Sequence, residues 1–271
     1  MRINIVTLFP EFFTAPLETS IPGRAQAAGL VEYRVVDLRK YTHDRHRTAD
    51  DTPYGGGGGM VLKPAPFFEA VDDLEPRGPV VLLSPRGALF KQAHAARYAS
   101  LEELTLLCGH YKDVDERVAE GLATEELSLG DFVLSGGEIP ALAVADAVVR
   151  LLPGALGDHD SAATDSFYDR PLLGPPSYTR PAEYRGLHVP EVLRSGDHGR
   201  IARWRREASV RLTRERRPEL FRRALEEGHV TETEGAGDAL RDGDAGGAEG
   251  RAGGGDAGNP GESLPEGGHT N

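Results

Sequence analysis

The sequence holds one cysteine, Cys108, among 271 residues. A single thiol excludes a disulfide framework within the chain and fits a reducing, cytoplasmic setting. Lying in the apolar run LTLLCG, it reads as a small buried hydrophobe. No apolar run approaches membrane-spanning length, and the opening MRINIVTLFPEF lacks the long apolar core of a secretory signal. These absences predict a cytoplasmic protein with no membrane partner. An excess of basic residues is also missing, since the formal net charge is −12. The deficit is unevenly spread. Residues 232–271 contain no aromatic side chain, thirteen glycines, nine acids and two arginines, for a net −7 that leaves −5 for the rest. Such a stretch cannot bury enough apolar surface to offset chain entropy, so a disordered, acidic, Gly-rich tail is expected there. The acidic total therefore argues less strongly against a nucleic-acid partner than it first seems to. Local basic clusters decide that question.

What the chain does have, in its first half, is alternation. Strand-like runs begin at Ile3, at VEYRVVDL (31–38), PVVLLS (79–84), LTLLCG (104–109) and ELSLGD (126–131). Helical patterns lie between them at 23–30, 66–74, 89–99 and 115–123. This order favours an α/β domain with a largely parallel sheet. Ser135-Gly-Gly-Glu138 has the spacing of a capping box and opens a helix that Pro153 and Gly154 end. From residue 157 to 181 the sequence GDHDSAATDSFYDRPLLGPPSYTRP is polar, proline-rich and aperiodic, which marks a linker or a functional segment. A small helical region follows. HGRIARWRREASVRLTRE places Ile201, Trp204, Ala208 and Leu212 on one face, and Pro218 starts a second helix. Between Arg200 and Arg223 stand ten arginines against three glutamates. A solvated basic face and a phosphate-binding face are both consistent with that charge.

Two glycine-rich stretches compete between structural and functional readings. YGGGGGM (54–60) lacks the Gly-Lys-Ser/Thr ending of a phosphate loop, and Met60 stands where a dinucleotide-binding pattern needs its third glycine. A flexible loop would explain it. So would a ligand wall, because THDRHRTADDTP before it crowds His43, Asp44, Arg45, His46, Arg47, Asp50 and Asp51 beside backbone that a ligand can approach closely. His43 and His46 suggest a metal only weakly, with no cysteine near. The second stretch is SLGDFVLSGGEIPA (128–141). Its exposed backbone groups suit recognition of a base edge or carboxylate. A tight strand-to-helix turn needs the same glycines.

Taken in order, IVTLFPEFF, THDRHRTADDTPYGGGGGM, LLSPRG, CGHYKDVDERV, LSLGDFVLSGGE, TDSF and YTRP resemble the bacterial tRNA (guanine-N1)-methyltransferases. These are SPOUT-class enzymes with a deep trefoil knot. The resemblance covers nearly everything from Met1 to about Thr231. It implies a knotted parallel-sheet domain (1–156) that binds cofactor, a linker (157–181), a helical tRNA-binding domain (182–231) and the tail (232–271). The implied activity moves a methyl group from S-adenosylmethionine to N1 of guanosine 37 in tRNA, in an obligate homodimer. Magnesium is a candidate second cofactor, although no dedicated ligand cluster is visible and no metal ligands are assigned.

Carried over motif by motif, the resemblance implies that Ser84, Pro85, Gly109, Tyr111, Leu129, Gly130, Asp131, Phe132, Val133, Leu134, Gly136 and Gly137 line the cofactor. It implies Asp165 as the base that takes the N1 proton and Arg150 as the cation at guanine O6. Without it, Asp165 reads as a solvated linker acid and Arg150 as an ion-pair partner of Asp146 at a helix end. His46, Asp50, Gly58, Gly59, Arg203 and Arg206 are the implied tRNA contacts. The chain departs from the family at His110-Tyr111-Lys112-Asp113, where Arg-Tyr-Glu-Gly is usual, and at Gly58, where Pro or Ala is common. The alternative that these departures raise is a tRNA-binding protein with weakened or lost catalysis.

Overall fold

A computed structural model describes residues 1–156 and 165–234, so residues 157–164 and nearly all of the expected tail lie outside the described residues. In chain order the first part forms β1 (Arg2–Thr7), α1 (Thr14–Glu18), α2 (Ser20–Ala27), β2 (Glu32–Asp37), β3 (Asp50–Asp51), β4 (Val61–Leu62) and α3 (Pro64–Leu74). It continues with β5 (Val80–Leu89), α4 (Gln92–Ala99), β6 (Glu103–Cys108), β7 (Asp113–Val114), α5 (Glu116–Gly121), β8 (Glu125–Ser128) and α6 (Glu138–Val149). The later part forms a hairpin of β9 (Glu183–Tyr184) and β10 (Leu187–His188), then α7 (Glu191–Arg194), α8 (His198–Arg216) and α9 (Pro218–Glu226).

The main sheet has the spatial order β2-β1-β6-β5-β8, and all its pairings are parallel. Every residue of β6 is buried, as a central strand covered on both faces must be. Alternation sorts the side chains. Ile3, Ile5, Leu104 and Leu106 face Val144 and Val148 of α6 on one side of the sheet. Val6, Leu82 and Leu107 meet Phe67 and Ala70 of α3 on the other. A second, three-stranded sheet, β3-β4-β7, carries the loop from residue 43 to 60 against the chain that leaves β6.

Polar groups tie the strand entries together. Asn4 Nδ2 donates to Glu103 Oε1 at 2.9 Å and to Thr105 Oγ1 at 3.1 Å, and the Arg77 amide donates to Glu103 Oε2 at 3.0 Å. Burial pushes the Glu103 carboxyl up. The Arg77 amide, the Asn4 amide and the nearby Arg2 and Arg77 charges outweigh it and hold the group below the usual glutamate range. A depressed folded-state value contributes stability above the unfolded value and loses it as pH falls. Glu103→Gln is therefore expected to lower stability at neutral pH by about 1–3 kcal/mol. The gap from wild type should close in denaturant titrations below about pH 4.

Three local expectations are corrected. The predicted helix 89–99 begins only at Gln92, because Leu89 pairs with Ser128 in the sheet and the Phe90 amide donates to the Ser128 carbonyl at 2.8 Å. The helix predicted over 23–30 runs Ser20–Ala27, with Pro22 in its first turn and Gly29 at φ +72° beyond its end. The capping box at Ser135 does not form: Gly137 caps α6 without a side-chain bond, and Glu138 turns inward.

The helical region has its own small core of Leu172, Val210, Phe221, Ala224 and Val230. Leu172 and Leu173 come from the stretch read as linker. The Leu173 amide donates to Thr213 Oγ1 at 2.9 Å, and Ser209 Oγ donates to the Leu173 carbonyl. This docking rotates the buried stripe of α8 to Ala208, Val210 and Thr213. Ile201, Trp204 and Leu212 of the expected face are only half-buried.

Candidate active site

The carboxyl ends of β5, β6 and β8 lie side by side, where open parallel sheets bind ligands. Three segments leave these ends and enclose a cleft of about 110 Å³: residues 83–85, 109–113 and 127–137 without Asp131, joined by Pro140. The structure thus gathers all the expected cofactor residues here except Asp131, which is exposed. Strand β5 is irregular at this point, its register against β8 shifting between Leu83 and Ala88. The irregularity lets Ser84 and Pro85 turn toward the cleft while the strand resumes at Ala88.

Close approach explains the paired glycines before α6. A Cβ on Gly137 would stand 2.7 Å from Cys108 Cα, and its amide donates to the Gly109 carbonyl at 2.7 Å. A Cβ on Gly136 would collide with His110 Nδ1 and Glu138 Oε2. That leaves one wall of the cleft made of backbone. Cys108 beneath it is fully buried, and burial, with the Glu138 charge, raises its thiol well above the ordinary range.

The glycine run lines no part of the cleft itself but forms a wall against Lys112, which does. Gly55, Gly56, Gly57 and Gly59 all have φ between +78° and +110°, so the run is set by conformation and not by looseness. Gly58 is the exception, and a Cβ added there would meet nothing within 4 Å. Lys112 packs along this wall: its Nζ lies 3.3 Å from where a Gly57 Cβ would be, and its amide donates to the Met60 carbonyl at 3.1 Å. Asp113, which stands where a glycine is usual, lies in extended β7 and pairs with Arg86 at 3.6 Å. The left-handed residue of this turn is Tyr111, at φ +61°. His46 and Asp50 lie in the same loop, Asp50 paired with Leu62 across β3 and β4. His43 Nε2 is bonded to Glu69 Oε2 at 2.7 Å.

Asp165 and Arg150 are together, but not in this cleft. Arg150 caps the end of α6, and its Nη2 donates to Asp165 Oδ2 at 2.7 Å, with the two side chains 40% and 48% exposed. Its ion pair is thus with Asp165 and not with Asp146. Asp165 lines a second, open groove of about 1020 Å³ between the linker and the helical region, bordered by Tyr178, Arg180, Arg194 and Arg205. Arg203 is exposed, whereas Arg206 Nη2 donates to the His229 carbonyl at 2.6 Å and so serves the packing of the helical region.

His110, Lys112 and Asp113 also line the cleft and were not assigned to it from sequence. Their place between two recognised cofactor segments was the available signal. Among the described residues no helix is long and apolar enough to cross a membrane, and no group of three or more His, Cys, Asp or Glu is placed to hold a metal ion.

Comparison with known proteins gives this geometry a family. Residues 1–223 match the family model described as tRNA (guanine-1)-methyltransferase TrmD. The chain is similar to a tRNA (guanine-N(1)-)-methyltransferase of Gloeobacter violaceus, 57% identical over 227 residues that cover 82% of this chain and 98% of the relative. Similar relatives of the same name occur in Dehalococcoides mccartyi, 51% identical over 82% of this chain and 90% of the relative, and in Desulforamulus reducens, 50% identical over 82% and 89%. With a parallel α/β sheet, a cleft at its strand ends and a match that runs through the helical region, the chain belongs to the tRNA (guanine-1)-methyltransferase family.

Proposed function

We propose that this protein transfers a methyl group from S-adenosylmethionine to N1 of guanosine 37 in tRNA. The observation that carries the reading is the convergence of 83–85, 109–113 and 127–137 on one cleft, beside the loop of His46, Asp50, Gly58 and Gly59. The lining suits an adenosyl ligand. It offers close approach to the backbone at Gly109, Gly130, Gly136 and Gly137, rings at Tyr111 and Phe132, and few charges. When bound, S-adenosylmethionine supplies an electrophilic methyl group.

The rest of the task falls to the chain. Guanine N1 carries a proton at neutral pH, and its lone pair attacks well only as that proton leaves. Asp165 would accept that proton through a carboxylate oxygen as N1 takes the methyl group, the sulfur–methyl bond breaking to release S-adenosylhomocysteine. Arg150, already in an ion pair with Asp165, stabilises the negative charge that moves onto O6. Because Asp165 borders the helical-region groove and not the cleft of its own chain, the reading includes a homodimer in which one protomer's Asp165 serves the other's cleft. The knotted path, the domain limits at 156 and 181, and phosphate contacts by Arg203 belong to the same reading. Arg206 enters it as a packing residue, since its guanidinium is occupied. The altered segment 110–113 does not favour a catalytically dead binder, because Lys112 and Asp113 are both held by neighbours.

Incubation with methyl-labelled S-adenosylmethionine and tRNA transcripts tests the assignment. Label should enter transcripts with guanosine at position 37 and be absent when that base is changed. Equal labelling of both would overturn the choice of nucleotide, and tight tRNA binding without transfer would overturn the enzyme.

A further inference from the structure

We propose that the groove beside Asp165 holds an unpaired nucleotide adjacent to the target guanosine, its base stacked on Tyr178 and the flanking phosphates met by Arg180, Arg194 and Arg205. The proposal rests on the reading of tRNA as the substrate, and adds to it a base-stacking platform. At about 1020 Å³ the groove stands at the upper end of ligand-pocket sizes. Asp165 is part of its lining. An RNA strand whose guanine N1 meets that carboxylate carries its neighbouring nucleotides past the same surface.

The walls are anchored. The Gly174 amide donates to Ser166 Oγ at 2.9 Å, which ties the residue after Asp165 to the start of PPSYTRP. Leu173 is bonded through its amide to Thr213 and through its carbonyl to Ser209, so the same stretch is fixed on α8. From it projects Tyr178, 49% exposed, with the indole of Trp204 at 6.3 Å between centroids and 58° between planes. Contact with a second ring holds the phenol in place and leaves half of it open. An aromatic ring held in this way is a platform on which any unstacked base can lie. The charges are arranged to match. Arg180 follows two residues later, Arg194 ends α7, and Arg205 stands next to Trp204 on α8. All three are exposed, and among the described residues none is paired with an acid, whereas Arg170, Arg206 and Arg217 of the same region each hold a carboxylate. The one acid in the lining, Asp165, is itself held by Arg150. Three cations from three segments, free of acids and facing one groove, suit phosphate oxygens.

The two kinds of contact do different work. Stacking accepts every base, so Tyr178 supplies affinity and register without choosing sequence. The arginines supply the salt-dependent share. A base held on Tyr178 fixes the path of the strand over Asp165, which makes Tyr178 a positioning residue for the transfer.

Equilibrium binding of tRNA to the full chain, over a range of salt and with S-adenosylhomocysteine present, tests this. Tyr178→Ala should bind about tenfold more weakly with an unchanged salt slope, the loss of one stacked base. Tyr178→Phe, which keeps the ring, should bind within about twofold of wild type. Arg205→Gln should bind more weakly and flatten the slope of log K against log salt by about 0.7, the share of one phosphate contact. tRNA assembled from synthetic pieces then carries an abasic nucleotide on each side of the target guanosine in turn. At one of these positions the missing base should cost wild type about tenfold and Tyr178→Ala less than about twofold, a cancellation that a merely structural tyrosine does not produce. Tyr178→Ala affinity equal to wild type, or equal abasic losses in both proteins at both positions, would overturn the proposal. Should Tyr178→Ala fail to fold, wild type decides alone, and indifference to both abasic tRNAs would overturn it. No tRNA binding by wild type even at low salt would instead overturn the reading of tRNA as substrate, and the groove's role with it.

Discussion

Asp165→Asn is expected to slow single-turnover methyl transfer by about 10²- to 10⁴-fold, the usual span for loss of a general base. The side chain keeps its size but can no longer take the N1 proton. Affinity for S-adenosylhomocysteine should stay within about threefold of wild type, because Asp165 lies outside the cleft. Rapid-quench measurement with saturating tRNA and methyl donor separates the two effects. The ion pair with Arg150 sharpens the expectation, since the neutral amide would also release the guanidinium from its 2.7 Å contact. Both side chains are substantially exposed, so the loss of that contact should cost little stability, about 0–1 kcal/mol. A variant with more than a third of wild-type transfer rate would remove Asp165 from the chemistry.

Gly137→Ala is expected to damage the fold and the cleft together. The added Cβ would meet Cys108 Cα at 2.7 Å and the Gly109 amide at 3.0 Å. These are backbone atoms of a buried strand end, so the helix start has to move and the bond from Gly137 N to Gly109 O has to stretch. Overpacking of this kind costs about 1–3 kcal/mol. For a chain of this size that corresponds to a melting temperature lower by roughly 2–12 °C. Donor binding should fall more steeply than stability, because the displaced backbone is itself cleft wall. Gly58→Ala is the matched control: φ there is ordinary, the space is open, and a change within about 0.5 kcal/mol is expected. Melting curves of the two variants beside wild type check the contrast, and equal melting temperatures for Gly137→Ala and wild type would refute the steric argument.

Much of this architecture was readable from pattern. LTLLC shows as an apolar run interrupted only by Thr105 because β6 is covered on both faces, and LLSP, CGHY and LGDFVL carry the turn residues of strand ends that open on the cleft. Where reading failed, a distant partner had overruled a local signal. Ser135-Gly-Gly-Glu138 has the spacing of a cap, but Thr7 and His110 claim the Glu138 carboxylate from other elements. Leu89 belongs to a helical pattern but is taken by the edge of β8. On α8 the docking of Leu173 onto Thr213 chooses the buried face, and nothing within the helix announces it. Asp165 is the extreme instance. Its surroundings look like solvated linker, and only the match of TDSF to a family motif singled it out.

The five glycines from 55 to 59 carry a lesson about information content. Measured by residue diversity the stretch is nearly empty, and a filter for repetitive sequence would discard it. Measured by conformation it is heavily specified, because four of its five positions occupy backbone angles that side chains resist. Repetition here records the same stringent demand made several times in a row. Variation should therefore be tolerated unevenly, with position 58 accepting replacements that its neighbours refuse.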